Sequence, residues 1–395
     1  MIKMKTVGLV TSEESFLNNY GAALQGYALC QTLKSLGTDP YVIRYKTYIP
    51  PRKFGKLKDC IKRIIRYNPD KRSQEQIARD EKLNQIKEQH KDQIRDREAY
   101  FEKFQKDFIP FHSDKRYVWD ELKENPPVYD IYVCGSDQIW NPYFHGGVCD
   151  PGYFLAFAPA GKPCIAYAPS TGTDKFPQTF ANDIPKYIDR FREISLREKS
   201  SAEALSNLLG RTVPAVLDPT LLADPQIWDN IKSVPARIPE QFILSYRFSD
   251  NPVMKEALLR VSAEKGLPVV SVPLSAVALE DPFMKEFHAG PGEFVGLIGK
   301  AALVVTDSFH ATVFSILQHT PFITFPRESF SDNASMNTRV EDLLRDCDLL
   351  HRYVSTVKEA VEMERQAISF CNADAWLNEE RTKSLEFLRK ALGEG

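Results

Sequence analysis

Short apolar runs alternate with segments of helical period along most of this chain. The first run is KTVGLV (5–10), a helix-period segment follows at residues 18–37, and YVIRY (41–45) is the next apolar run. Short apolar runs of this kind are typical of strands buried on both faces, so the three segments predict one β–α–β unit. Asn18 and Asn19 precede the helix-period segment and are suited to cap it.

The same alternation returns in two further series. The first contains the apolar runs YDIYVC, CIAYA, EISL and PAVLDPTLL, and the second contains QFILSY, LPVVSV, ALVVT and PFITF. Strands that alternate with helices build a mainly parallel sheet. The pattern therefore predicts an α/β protein with two Rossmann-like domains facing a cleft. We expect residues 1–223 to form the N-terminal domain, and residues 224–395 to form the C-terminal domain with the last helices.

An inserted segment differs from both series in composition. Residues 51–72 are strongly basic, with apolar residues at helical spacing, and residues 74–108 are highly charged with a helical period. This composition and period therefore predict that residues from about 51 to 110 form a helical arm inserted into the first domain. A basic amphipathic helix suits an anionic membrane surface, but the same pattern also fits a solvated helix or a dimer contact.

Composition narrows the class of protein. The 395 residues are 43% hydrophobic and 26% charged with a net charge of -2, which gives no reason to expect nucleic-acid binding. The seven cysteines include no C-x-x-C pair and no His/Cys cluster at metal-ligand spacing, so we expect reduced thiols and no metal site. The first apolar run is too short for a signal peptide, and no run approaches the roughly 20 residues that span a bilayer. These features predict a cytoplasmic protein.

Polar side chains gather where the apolar runs end, and open parallel sheets bind ligands beyond those ends. The TDSFH segment places Asp307, Ser308 and His310 between an apolar run and a helix-period segment. The free amides of a helix start favour an anion, and histidine titrates near neutrality. The same residues also fit an Asp/Ser cap beside a packed histidine.

The runs of the first domain end in further candidates. Arg197, in ISLREKS, presents a fork suited to carboxylates and phosphates, although a salt bridge at the strand end is the common alternative. Other segments offer side chains typical of a sugar or phosphate subsite, or of a structured turn. They are Asp137, Gln138, Trp140, Asn141 and His145 in and after GSDQIWNP, Ser170 in YAPSTG, and Asn19, Tyr20 and Gln25 at the first helix.

The order of these motifs resembles that of the polysaccharide pyruvyl transferase family. The segments in question are NNYGAALQGYAL, YDIYVCGSDQIWNP, FLAFAPAGKPCIAYAPSTG, ISLREKS, VLDPTLL and LVVTDSFHATVFSILQHTPFI. The resemblance implies a glycosyltransferase B-like architecture, with the acceptor on the N-terminal domain and the donor on the C-terminal domain. It implies transfer of pyruvate from phosphoenolpyruvate to two hydroxyls of a sugar, giving a cyclic ketal. It also implies a lipid-diphosphate-linked acceptor at the inner face of the cytoplasmic membrane and no cofactor.

The resemblance further implies roles for single residues. His310 matches the family histidine at the donor site and is the expected general acid/base, while Arg197 matches the arginine expected to grip the donor. Some relatives carry an arginine where this chain has Ser308, so a second cation has to come from elsewhere. Arg247 is the first candidate for that cation, and Arg327 is the second.

The remaining candidates divide between the two substrates. Asp137 or Asp307 is expected to activate the acceptor hydroxyl, and Ser308 and Ser170 are expected to contact the donor. The expected acceptor contacts are Asn19, Tyr20, Gln25, Gln138, Trp140, Asn141 and His145. Two other functions stay open: a nucleotide-sugar-dependent glycosyltransferase of the same fold, and a non-catalytic sugar-binding relative.

Overall fold

The structure, a computed structural model, describes residues 4–48, 74–274, 276–327 and 337–393. The strands are β1 (Lys5–Val10), β2 (Thr38–Val42), β3 (Ile131–Cys134), β4 (Cys164–Ala166), β5 (Phe191–Ile194), β6 (Ile243–Tyr246), β7 (Val269–Ser271), β8 (Met284–Lys285), β9 (Leu303–Thr306) and β10 (Phe322–Thr324).

The helices follow the same order along the chain. They are α1 (Tyr20–Ser35), α2 (Gln74–Gln89), α3 (Lys91–Phe108), α4 (Trp119–Glu124), α5 (Gln178–Asp183), α6 (Pro185–Ile188), α7 (Lys199–Leu209), α8 (Pro219–Leu222), α9 (Gln226–Asp229), α10 (Pro252–Lys265), α11 (Ala276–Leu279), α12 (Pro291–Lys300), α13 (Phe309–Leu317), α14 (Thr338–Asp346), α15 (Val357–Glu364) and α16 (Cys371–Leu392). Single 3-10 turns lie at Glu13–Ser15, Gln138–Trp140 and Leu350–Arg352.

Two parallel sheets organise the described residues, and each has five strands. Their orders are β2-β1-β3-β4-β5 and β10-β9-β6-β7-β8. The central strands β3, β6 and β9 are buried along their whole length, because helices cover both faces of each sheet. This burial explains why the strands read as continuous apolar runs, and the predicted α/β fold with two Rossmann-like domains is confirmed.

Three strand assignments differ from the sequence-based expectation. Strand β2 begins at Thr38 and includes Pro40, which an edge strand tolerates because one side of its backbone needs no partner. The expected strand in PAVLDPTLL is absent: Ala215 forms a single bridge with Leu196, and α8 begins after Asp218. An Asp-Pro pair supplies an N-cap and a first helical residue, so it starts a helix at this point. Strand β8 has two residues, too few to give a pattern.

The two domains share one apolar core. Tyr20 of α1 stacks on Phe294 of α12 with ring centroids 4.5 Å apart, and its edge meets Tyr246 of β6. Its hydroxyl donates to the carbonyl of Ala289 at 2.7 Å. Because Tyr20 of the first domain is enclosed by residues of the second, helix α1 also holds the domains together.

The helical arm also reaches the second domain. Phe101 of α3 packs on Tyr20 at 4.6 Å between centroids, Arg97 donates to the carbonyl of Pro273, and Lys82 of α2 pairs with Glu280 at 2.7 Å. The arm therefore braces both domains. The basic segment 51–72 lies outside the described residues. In the described ranges, no helix has both the length and the apolar character needed to cross a membrane.

The last helix, α16, packs against the N-terminal domain, although the sequence-based boundary grouped it with the C-terminal domain. Lys390 pairs with Glu193 of β5 at 2.7 Å, and the hydroxyl of Ser384 accepts from the backbone of Leu217 at 3.0 Å. Lys5, in the first strand, donates to the carbonyl of Leu392 at 3.1 Å. The chain thus returns to the domain in which it started.

Candidate active site

The loop after β3 brings Asp137 to the carboxyl end of the first sheet. A Cβ at Gly135 would overlap the carbonyl oxygen of Tyr167, so this close approach of two backbones requires glycine. The backbone carbonyl of Asp137 accepts from Ser170 at 2.7 Å, and its Oδ2 accepts from the hydroxyl of Ser12 at 3.2 Å. Asp137 is therefore held rigidly at the strand ends.

Arg197 lies directly beyond β5 and is buried among carboxylates. Its Nη1 donates to Oδ2 of Asp218 at 2.8 Å, its Nε donates to Glu198 at 3.3 Å, and Nη1 lies 3.7 Å from Oδ1 of Asp137. Its guanidinium also packs over the ring of Phe309, 4.6 Å from the centroid. Its Nη2 is buried without a hydrogen-bond partner among the described residues. These contacts hold the fork in one orientation with one donor nitrogen to spare.

Asp218 is a site residue that sequence reasoning missed. It caps α8, and its Oδ1 accepts from the backbone and the hydroxyl of Thr220 at 2.9 and 2.6 Å. Burial by itself would raise the pKa of this carboxyl, but its contact with His310, the charge of Arg197 and the bonds from Thr220 hold that pKa well below its usual range. The signal was present in VLDP, an acid at the end of an apolar run, but we assigned that run to a strand.

His310 meets Asp218 across the domain boundary. It lies in the first turn of α13, where the hydroxyl of Ser308 caps the helix by accepting from the backbone of Ala311 at 3.4 Å. Its Nε2 is buried, 3.7 Å from Oδ2 of Asp218. Its Nδ1 faces α1, and a Cβ at Gly21 would overlap it. His310 and Arg197 therefore converge on one carboxylate oxygen.

Two more arginines lie near this group. Arg339 of α14 lies on the same Phe309, 5.7 Å from the ring centroid, and Arg327 packs over Phe248 at 4.1 Å. Burial and then the positive charges of Arg327 and Arg197 lower the pKa of Arg339 to about 9. Three neighbouring guanidiniums that oppose one another in this way are suited to bind an anion. Arg339 was missed because an arginine at a helix start carries no pattern of its own.

A cavity of about 440 Å³ reaches this arginine group through Arg327, while Arg197 and Arg339 line a separate cavity of about 50 Å³ next to Asp218. The larger cavity has a volume within the range typical of small-molecule sites. Four of the predicted acceptor or catalytic residues and the second candidate cation line it, together with several residues of the loop after β1. The lining includes Asn19, Asp137, Gln138, His145 and Arg327, with Ser12, Glu14, Ser15, Thr47, Phe144 and Tyr153.

Asp307 and Arg247 have structural partners instead of facing the cavity. Both carboxylate oxygens of Asp307 are occupied, by the backbone amides of Phe248 and Ser249 at 2.8 Å and by the Ser249 hydroxyl at 2.6 Å. Arg247 is 1% exposed and donates to Asp281 at 2.7 and 3.1 Å. The structure therefore differs from two expectations: Asp307 holds the loop after β6, and Arg247 pairs with Asp281, which leaves Arg327 and Arg339 as the arginines near Arg197.

Three predicted acceptor residues lie behind the cavity wall. Trp140 is fully buried and stacks on Phe154 with centroids 4.3 Å apart, and Tyr20 is enclosed between the domains. Gln25 is fully buried as well, where it accepts from the backbone of Ser136 at 3.1 Å and donates to Thr11 at 2.8 Å. These three side chains support the cavity wall from behind and do not line the cavity.

The other two candidates act on their neighbours. Asn141 donates to the side chain of Gln138 at 2.8 Å and so orients a residue that lines the cavity. Ser170 donates its hydroxyl to Glu198, the carboxylate next to Arg197. In the described part of the chain, no three His, Cys, Asp or Glu side chains are grouped so that they could hold a metal ion.

The fold and this site define the chain as a two-domain α/β protein with a polar cleft at the facing strand ends. The family model for polysaccharide pyruvyl transferase matches residues 19–329, which is most of the chain. The chain therefore belongs to the polysaccharide pyruvyl transferase family and is a transferase of polysaccharide biosynthesis. None of the curated proteins matches it significantly.

Solved structures with similar coordinates include two epimerases and a transferase. The UDP-GlcNAc 2-epimerase of Methanocaldococcus jannaschii has a TM-score of 0.47 at 12% identity and covers 99% of this chain and 100% of its own. The UDP-N-acetylglucosamine 2-epimerase of Rickettsia bellii has a TM-score of 0.46 at 11% identity and covers 99% of this chain and 97% of its own. An E. coli heptosyltransferase has a TM-score of 0.37 at 13% identity and covers 83% of this chain and 91% of its own.

Proposed function

We propose that this transferase moves pyruvate from phosphoenolpyruvate onto two hydroxyls of a sugar, forming a cyclic ketal and releasing phosphate. The observation that carries the proposal is the convergence of Arg197, Arg327 and Arg339 next to His310. Phosphoenolpyruvate has a phosphate and a carboxylate on three carbons. Several closely spaced guanidiniums therefore suit it, because each anionic group needs charge-assisted donors.

His310 is proposed as the general acid. Protonation of the donor's methylene carbon makes a methyl group and leaves positive character on the central carbon, to which the first sugar hydroxyl adds. The C–O bond to phosphate then breaks, and the second hydroxyl closes the ring. Of the two hydroxyl protons released, one replaces the proton given to the methylene carbon and the other leaves with phosphate. Histidine suits this step because it exchanges protons near neutral pH.

Asp137 is proposed as the base for the acceptor. It lines the cavity proposed for the sugar, and its Oδ1 lies 3.7 Å from Nη1 of Arg197, the cation proposed for the donor. Asp137 is therefore adjacent to the proposed sites of both substrates. Asn19, Gln138 and His145 line the same cavity and supply polar contacts of the kind that sugars need. A cavity of about 440 Å³ has room for a sugar ring beside a three-carbon donor.

A lipid-linked acceptor and contact with an anionic membrane belong to the same proposal. They rest on the resemblance and on the basic segment 51–72, which lies outside the described residues. Flotation with vesicles that contain anionic lipid tests the membrane contact, with neutral vesicles as the control. Co-flotation that disappears in high salt supports it, and absence of association at low salt contradicts it.

The reaction is tested by incubating the full chain with phosphoenolpyruvate and lipid-linked sugars and measuring released phosphate and the ketal by mass spectrometry. We expect Arg339→Gln to raise the Michaelis constant for phosphoenolpyruvate roughly ten- to hundredfold, the worth of one charged hydrogen bond. Arg345→Gln is the matched control, because Arg345 is exposed on the same helix. Turnover of a nucleotide sugar, with indifference to phosphoenolpyruvate, would favour the glycosyltransferase alternative and refute the proposal.

A further inference from the structure

The carboxylate of Asp218 connects the residues proposed for donor binding and for proton transfer. Its Oδ2 accepts from Nη1 of Arg197 at 2.8 Å and lies 3.7 Å from Nε2 of His310, while Thr220 occupies its Oδ1. Asp218 is 1% exposed. The carboxylate is therefore fixed by three donors, and its remaining lone pairs face the imidazole.

The imidazole of His310 is equally confined. Its ring stands edge-on to Phe309, with centroids 5.1 Å apart, and Gly21 closes the other side. Its buried Nε2 has no hydrogen-bond partner among the described residues, and Asp218 is the one described carboxylate within 4.0 Å. A shift of less than 1 Å would complete a hydrogen bond between the two, which is within the adjustment that catalytic contacts make on substrate binding.

The other carboxylates near His310 have different partners or face away from it. Asp307, three residues earlier, binds the loop after β6 with both oxygens. Glu198 accepts from Ser170 and Arg197, and Asp137 faces the cavity. On α1, the ionisable side chain next to Gly21 is Tyr20, whose hydroxyl donates to the carbonyl of Ala289. Arg197 and Arg339 are cations and cannot accept a proton from the ring.

We propose that Asp218 is a positioning residue that holds the proton of neutral His310 on Nε2 and so fixes the tautomer and the orientation of the imidazole. An ionised carboxylate only accepts hydrogen bonds, so it selects the tautomer that presents an N–H to it. Arg197 supports this role because its charge keeps Asp218 ionised in the interior. Nδ1 packs against Gly21 in the first turn of α1.

This arrangement also couples the two proposed functions of the site. Because one oxygen serves both Arg197 and His310, a donor anion that draws Arg197 toward itself frees Asp218 to bind Nε2 more closely. Donor binding would then tighten the hold of Asp218 on the imidazole. The catalytic consequence rests on the proposed pyruvyl transfer, whereas the tautomer is a property of the resting protein.

Nitrogen-15 NMR of histidine-labelled full-length protein tests the tautomer without any substrate. His310→Gln identifies the His310 signals. We expect the wild type to show about a tenfold or greater excess of the Nε2–H form, because a hydrogen bond to a charged group is worth that much. In Asp218→Asn the excess should fall to near parity or reverse, since an amide presents both a donor and an acceptor. An unchanged tautomer ratio in folded Asp218→Asn overturns the proposal.

Asp281→Asn is the matched control, since Asp281 is also a buried aspartate paired with a buried arginine, Arg247, at 2.7 Å. It should lose stability to a similar degree but keep the wild-type His310 tautomer. If Asp218→Asn does not fold, the wild-type spectrum decides, because a dominant Nδ1–H form contradicts the proposal. Failure of pyruvyl transfer in the wild type, with the tautomer as expected, refutes the proposed function and leaves the role of Asp218 intact.

Discussion

His145 and Asp150 are two buried ionisable residues next to the cleft cavity, and Nδ1 of His145 lies 4.0 Å from Oδ2 of Asp150. Burial lowers the pKa of His145 to about 4, against the weaker effect of the Ile139 carbonyl that its Nε2 contacts. Burial raises the pKa of Asp150 to about 6, although Tyr45 and Tyr48 donate to it at 2.7 Å. At neutral pH the histidine is therefore uncharged, and it lines the cavity as a neutral ring.

These two pKa shifts predict opposite effects of pH on stability. Between pH 6.5 and about 4 the unfolded chain protonates residue 145 and the folded chain does not, so the wild type loses stability as pH falls. His145→Gln removes this loss. We expect the free energy of unfolding of the wild type, relative to the variant, to fall by about 2 to 3 kcal/mol from pH 7 to pH 4.

Urea denaturation at several pH values measures this difference. Asp150→Asn is the companion variant with the opposite sign. Folded Asp150 keeps its proton up to about pH 6 while the unfolded carboxyl releases it near 3.8, so its contribution to stability decreases as pH rises between those values. A difference between wild type and His145→Gln that does not vary with pH would contradict the buried, neutral histidine.

At the scale of the element, the first turn of α1 sets the position of His310, the histidine proposed as the general acid. Gly21 lies inside a helix, where alanine is normally more stable by about 0.5 to 1 kcal/mol. A side chain at this position would overlap Nδ1 of His310, and that close contact explains the glycine. The helix of one domain thereby shapes the reactive group of the other.

We therefore expect Gly21→Ala to displace the imidazole and to lower turnover on the order of a hundredfold, the typical cost of a 1 Å misplacement. Thermal unfolding should show little loss, because helix propensity offsets part of the strain. Gly299→Ala is the matched control within α12, where the added Cβ meets only the flexible end of Gln318. Steady-state kinetics compare the two variants, and equal activities would contradict the contact between α1 and His310.

The elements of the site differ in how well sequence could predict them. The starts of α1 and α13 were recognisable, because Asn19 and Ser308 are caps that precede apolar helices. Asp307 and Arg247 carried the same local signals as Asp137 and Arg197, namely a charged side chain at a strand end. The difference lies in their partners, since Ser249 and Asp281 come from segments that sequence spacing cannot relate to them.

At the scale of the whole molecule, the two domains are bound by elements that cross between them. Helix α3 reaches the second domain through Arg97, and α16 returns to the first through Ser384 and Lys390. The apolar core around Tyr20 is continuous between the two sheets. We infer that the domains unfold together, and that the cleft opens by small adjustments about this shared core.

Leu388→Ala tests that inference, because Leu388 is fully buried on α16. The variant should lose about 2 to 5 kcal/mol of unfolding free energy, as expected for a truncated core leucine, and still unfold in a single calorimetric transition. Lys383→Ala, at an exposed position on the same helix, should leave the transition unchanged. Two separate transitions, of which only one moves, would show that the domains are independent.

Hydrophobic periodicity alone determined the class of fold and the position of most strands along the chain, because a strand buried by helices on both faces has to be continuously apolar. The caps and the Asp137, Arg197 and His310 motifs could be read for the same reason, since they follow those strands directly. The convergence of Asp218, Arg339 and His310, and the return of α16, depend on contacts between residues far apart in the chain. Only packing brings such residues together, so only the tertiary structure decided which polar side chains face the cleft and which support it from behind.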